Sequence, residues 1–205
     1  NHLSLFLVYL YMRQSYRISK KFNKVNIMFP KMRRIVTGHN EKGRSVVMID
    51  GPPPHSVGRE EGGLFEIWNT DGNPVDSTDP TDRVEPKVRL SPPAGGTKFR
   101  YFAMAPTPAG ATREELEAGM AAAFEQIDAA HERPDTTRHP GMHKTKTIDY
   151  IILLSGSVTL LLDDDEVQLQ PFDVVVQRGT NHAWVVDGTE SALFIAVLID
   201  SEIVE

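Results

Sequence analysis

Three side chains near the C-terminal end have the residue types of a metal or acid–base centre: His143, Asp149 and His182. Two imidazoles and a carboxylate are the donor types of a 2-His-1-carboxylate metal site, which leaves coordination positions open for a substrate. With no metal, a partly buried carboxyl has its pKa raised and can act as a general acid or base beside a histidine. The chain has no cysteine, so disulfides, thiolate metal sites and cysteine nucleophiles are excluded.

Elements that could bring these groups together are readable from hydrophobic alternation. Successive side chains of a strand point to opposite faces. His143 and Thr145 therefore share one face, Lys144 and Lys146 take the other, and Asp149 returns to the first. In the second stretch His182 and Trp184 share a face. After His143 the runs DYIILL, SVTLLL, EVQLQ, DVVVQ, HAWVV and SALFIAVLI follow one another, separated by turn-forming residues. Short antiparallel strands at this rhythm predict an all-β sandwich or barrel with a mostly apolar interior. Further strands are expected at Ser45 to Ile49, Leu64 to Trp68 and Thr97 to Met104, and Asp71 to Pro86 reads as a surface loop.

One helix interrupts the strands. Leu116, Met120, Phe124 and Ile127 form an apolar stripe, Thr112 and Glu115 have capping-box spacing, and Arg133 and Pro134 close the segment. An amphipathic helix packed outside a sheet is favoured over a lid on a pocket. The acidic run Asp163 to Glu166 lacks the ligand spacing of a calcium loop and reads as a solvated hairpin turn.

The net charge of -6 conceals a polarity. Residues 1–38 hold eight Lys or Arg and no acid, which leaves 14 basic against 28 acidic residues in the rest. The apolar run Leu3 to Met12 is too short to span a bilayer, and its basic residues follow it, unlike those of a secretion signal. Residues 1–31 are read as an arm lying outside the natural domain or swapped across a dimer. Residues 32–138 are then strands, loop and helix packed on a barrel core of 139–205. The partners expected are a small-molecule ligand and a second copy, with no nucleic acid and no membrane, in the cytoplasm. The motifs of nucleotide-binding loops, zincin proteases and α/β-hydrolases do not occur.

The two C-terminal stretches together resemble the cupin superfamily. Its first motif runs Gly, five residues, His-x-His, three or four residues, Glu, six residues, Gly. Here His143-Lys144-Thr145, three residues, Asp149, six residues and Gly156 are similar. Its second motif runs Gly-Asp, then Pro-x-Gly, two residues, His. Phe172-Asp173, then Gln177 to Gly179, two residues and His182 resemble that pattern, with Phe172 and Gln177 standing for its turn Gly and turn Pro. The resemblance covers the last third of the chain and extends to a group of small bacterial cupins with TIDY and GTNHAW stretches. It implies a cupin-type double-stranded β-helix, or jelly-roll barrel, with one amphipathic helix and an N-terminal extension.

The departures set limits on what the resemblance carries. Thr145 stands where the family has its second histidine, and Asp149, shorter by about 1.5 Å of carbon chain, stands for Glu. A four-ligand site is therefore excluded. What remains is a three-ligand site of His143, Asp149 and His182 for Fe, Mn, Zn or Ni, or a metal-free pocket in which Asp149 is the acid or base. Thr145, Ile151, Leu153 and Trp184 would form the substrate walls, favouring a partly apolar organic acid or aromatic. The resemblance implies a small-molecule-processing enzyme of dioxygenase, isomerase, dehydratase or decarboxylase type. The alternative is a non-catalytic, metal-free ligand-binding or sensor cupin.

Overall fold

The computed structural model describes residues 32–59 and 62–202, so the Leu3 to Met12 run and the rest of the N-terminal arm lie outside the described residues. Among the described residues eleven strands are formed: β1 Arg34–His39, β2 Ser45–Gly51, β3 His55–Arg59, β4 Gly62–Thr70, β5 Thr97–Met104, β6 Thr147–Ser155, β7 Val158–Leu161, β8 Glu166–Leu169, β9 Val174–Arg178, β10 Ala183–Val186 and β11 Ala192–Asp200. β1 and β2 pair as a two-stranded sheet. The other strands form two antiparallel sheets, one of six strands in the order β3-β4-β5-β11-β6-β9 and one of three in the order β10-β7-β8. Strands on both sides of residue 139 thus belong to one hydrogen-bonded sheet. The all-β jelly-roll expectation holds.

Alternation places Ile151, Leu153, Phe194 and Ala196 on the inner face of the large sheet. There they pack with Val158, Leu160, Trp184 and Val186 of the small one. Phe102 stacks on Phe194 at 4.3 Å and 6° between ring planes, an aromatic contact that adds to simple area burial. Gly156 turns the chain from β6 into β7 at φ +93°, where a Cβ would stand 2.8 Å from the Ala192 Cα. Only glycine satisfies both conditions.

The helix, α1 (Arg113–Gln126), begins as its sequence predicts: Thr112 and Glu115 make the full capping box. It ends at Gln126, short of Arg133, and a short 3-10 turn at Ala130–Glu132 follows. Phe124 is its one buried side chain. The hairpin turn between β7 and β8 is exposed, as expected of a solvated acidic run, but it is tied down. Arg138 donates to the carbonyls of Leu162, Asp163 and Asp165 and to the Glu166 carboxylate.

Candidate functional site

The chain entering β6 and the chain entering β10 meet at a single antiparallel bridge between His143 and His182. Each residue donates its backbone N–H to the other's carbonyl at 2.9 Å. That reciprocal pair brings both imidazoles to one side, with ring centroids 4.2 Å apart and planes inclined at 46°. Nδ1 of His143 lies 3.0 Å from the Gly141 carbonyl, and Nδ1 of His182 lies 2.9 Å from the Thr180 carbonyl. A carbonyl only accepts, so each Nδ1 carries the proton and each Nε2 of the neutral ring keeps its lone pair. Burial pushes His143 down to about 4. Burial and the neighbouring His143 hold His182 well below the usual histidine range. Both rings are therefore neutral bases at physiological pH.

Aromatic side chains enclose the pair. Phe124 of α1 lies 5.0 Å from the His143 ring, and Trp184 meets His182 edge-on at 5.5 Å. Arg133 sits 5.5 Å over the Phe124 ring and is held by Glu117 and the Pro140 carbonyl. The helix therefore closes the histidine side of the barrel instead of packing on a remote sheet face.

From His143 the inward row continues at every second residue through Thr145, Thr147 and Asp149, the last three all buried. The hydroxyls of Thr145 and Thr147 are 2.6 Å apart. Burial raises Asp149 to about 6, against the opposing pull of Thr147 and Arg100. In register with Asp149 stand Gln177 on β9 and Leu198 on β11, and Leu198 in turn pairs with Lys98 on β5. One register step along, Arg100 is 2.9 Å from Glu66 across β5 and β4, both almost fully enclosed. Arg100 and Lys98 also donate to the Arg89 carbonyl, which straps the loop before β5 across the barrel. Burial lowers Lys98 to about 8 and raises Glu66 and Glu132, and Ser91 bonds the Glu132 carboxylate.

The expected three-ligand centre is corrected here. His143 and His182 converge, but Asp149 belongs to the Arg100 cluster, and among the described residues no three His, Asp or Glu side chains are placed to hold a metal. Asp149 shares the inward face with His143, but its carboxyl interacts with Thr147 and Arg100. The donor set that would take an Fe, Mn, Zn or Ni ion is thus two bare Nε2 atoms, without the carboxylate. Of the four expected wall residues, Ile151, Leu153 and Trp184 are packed core members, and Thr145 bonds Thr147. His139 accepts from the Gly141 N–H at the rim. Sequence reading missed Glu66, Lys98, Arg100, Gln177 and Phe124. Lys98 and Arg100 occupy alternate positions of β5, but aromatic residues occupy both of its faces and conceal the inward one.

No protein-family model matches the chain. A phomopsin biosynthesis cluster protein C' from Diaporthe leptostromiformis is 29% identical over 176 residues, covering 82% of this chain and 77% of that protein. A cupin-domain-containing oxidoreductase from Aspergillus ruber is 25% identical over 178 residues, covering 82% of this chain and 71% of the relative. The sheets here enclose one barrel interior. The chain is similar to a cupin-domain protein. Both of these relatives are fungal, whereas the motif resemblance extended to bacterial proteins. Among solved structures, a Cupin 2 conserved barrel domain protein from Salinispora arenicola gives a TM-score of 0.37 at 14% identity, over 69% of this chain and 78% of that one.

Within this barrel the polar groups form two neighbouring centres. One is a pair of neutral imidazoles able to accept a proton or donate a lone pair. The other is a protonatable carboxyl held beside a buried guanidinium. Among the described residues no helix is long and apolar enough to cross a membrane.

Proposed function

We propose that this chain is a small-molecule-processing cupin enzyme that works by proton transfer inside the barrel, on a partly apolar organic acid or aromatic. The observation that carries this reading is the anchoring of both imidazoles through Nδ1, which leaves two Nε2 bases side by side. A substrate C–H or O–H placed against one Nε2 would lose its proton to that ring. Asp149, poised near 6, suits the return of a proton at a second position. Isomerisation or dehydration fits such a pair of groups. The biosynthesis-cluster proteins and the oxidoreductase among the relatives support an enzyme over a passive binder. The test is incubation with a panel of aromatic and hydroxy acids in deuterated buffer, followed by mass spectrometry. Deuterium incorporation or product formation that is lost in His143→Ala and His182→Ala supports the reading. Ligand retention without exchange or turnover would instead favour a sensor.

A second reading rests on the same anchoring, because metal-bound histidines characteristically donate their other ring N–H to a carbonyl or carboxylate. His143 and His182 would then hold a divalent ion that acts as a Lewis acid, its remaining positions filled by substrate or water. Titration with Co(II), read by its visible absorption bands, tests this. One equivalent bound per chain, and none in His182→Ala, is the expected result for that reading.

A further inference from the structure

Thr145, Thr147 and Asp149 follow His143 on the inward face, and these three are buried. In a regular strand, side chains two residues apart stand roughly 7 Å from one another, too far for two hydroxyls to bond. A bend at Lys146 closes that gap. Ser201 holds the bend by donating its N–H to the Lys146 carbonyl, and the Thr145 and Thr147 hydroxyls come to 2.6 Å. The Thr147 hydroxyl in turn hydrogen-bonds the Asp149 carboxyl and pulls its pKa down. Among the described residues Asp149 Oδ1 has no partner, so Thr147 is the carboxyl's hydrogen-bonding neighbour.

A hydroxyl has one proton to donate and lone pairs with which to accept, so the three groups bond in sequence in only two directions. An ionised Asp149 only accepts. Thr147 then donates to it, Thr145 donates to Thr147, and the Thr145 oxygen is left with lone pairs alone. When Asp149 is protonated the chain of bonds reverses, and Thr145 is left with a proton to give. The charge state of the carboxyl is thereby expressed as donor or acceptor at Thr145, two residues from His143 on the same face.

We propose that Thr145 and Thr147 are a hydroxyl relay that carries the Asp149 proton to a substrate held beside the imidazoles. The relay rests on the proton-transfer reading above, and it lets Asp149 act on the substrate without touching it. In the step, the Thr145 O–H bond breaks as the substrate gains that proton. Thr145 takes the Thr147 proton, Thr147 takes the Asp149 proton, and Asp149 is left as a carboxylate. Nothing is oxidised or reduced. The imidazolium formed when the substrate lost its first proton then gives up one proton to water, and the carboxylate regains one. The charged groups acting on Asp149 are Arg100 of β5, which pulls it down and is itself paired with Glu66, and Glu132 of the 3-10 turn, which pushes it up. Across β11, Lys98 stands in its register, and Gln177 on β9 is uncharged with its amide given to Thr180. Thr147 therefore remains the outlet for the carboxyl proton.

The test has two arms that fail separately. In the first, carbon-13 spectra of the free full chain follow the titration of Asp149. Thr147→Val should raise its midpoint by about one pH unit, the worth of one hydrogen bond to a charged group. Thr145→Val, which leaves the Thr147 hydroxyl in place, should raise it by less, and that shift should vanish in a Thr147→Val background. In the unmodified chain, which requires no variant to fold, the Thr145 and Thr147 Cβ signals should both move with the Asp149 midpoint. The second arm is the assay in deuterated buffer. Thr145→Val should keep exchange of the substrate proton taken by the imidazoles but slow product formation by about a hundredfold, and Thr145→Ser should restore it. An Asp149 midpoint indifferent to Thr145→Val, a shift that persists without the Thr147 hydroxyl, or a Thr145 signal that ignores Asp149 overturns the relay. So does full product formation by Thr145→Val. A chain that exchanges no substrate proton at all sinks the imidazole reading instead, and the titration arm still decides the relay.

Discussion

His143 and His182 exchange both backbone hydrogen bonds across a lone antiparallel bridge, and their rings lie 4.2 Å apart with each Nδ1 committed to a backbone carbonyl. A bridge outside the ladders of both sheets thus does one thing, which is to juxtapose two imidazoles of the same tautomer. The strands on either side hold it in register.

The pH dependence of stability should show two opposed contributions. His143 titrates near 4 when folded and near 6.5 when unfolded, so its contribution is complete above about 6.5 and is lost as pH falls through 4. His182 acts in the same direction. Asp149 does the reverse. Its folded value of about 6 exceeds the ordinary 3.8, so its contribution is present below about 3.8 and lost as pH rises through 6. Asp149→Asn should therefore steepen the rise in Tm between pH 4 and 6.5. At pH 7.5 it should also stabilise, by up to about 3 kcal/mol, the cost of ionising a carboxyl raised by about two pKa units. Thermal melts across this range check both signs.

Thr145 and Thr147 share one buried hydroxyl contact at 2.6 Å. Removing one hydroxyl leaves the other without that partner and should cost about 1–3 kcal/mol. The Thr145→Val, Thr147→Val double variant should cost less than the two singles summed, a coupling that a double-mutant cycle in urea measures directly.

Arg100 and Glu66 form an enclosed ion pair at 2.9 Å. Arg100→Met strands the Glu66 charge and should destabilise by about 3–5 kcal/mol, whereas Arg100→Met with Glu66→Leu should recover most of that loss. Chemical denaturation of the three variants decides this. The same pair explains how far the inward polar row extends past the histidines.

Much of this architecture was legible in the chain. The spacing of His143, Gly156 and His182 identified the barrel halves, and Thr112 with Glu115 marked the helix start. Thr97 to Met104 was bounded to the residue. The outer strands β1 and β3 were not foreseen, because RIVTGH and HSVGR are short and lack clean alternation. Asp149 was placed on the correct face, but its neighbour Arg100 lies on that face by the pairing of strands and could not be read from the Asp149 strand alone. Phe124 was read as part of a stripe, and no sequence signal shows which ring such a stripe will touch.

The central claim is that two neutral imidazoles present bare Nε2 atoms to the barrel interior. Long-range proton–nitrogen correlation spectra of the nitrogen-15-labelled chain test it most directly. The account predicts that His143 and His182 both show a protonated Nδ1 and an unprotonated Nε2 at pH 7, and that His143 begins to titrate only near pH 4. A proton on Nε2 of either ring at pH 7, or titration of both rings near 6.5, would contradict it.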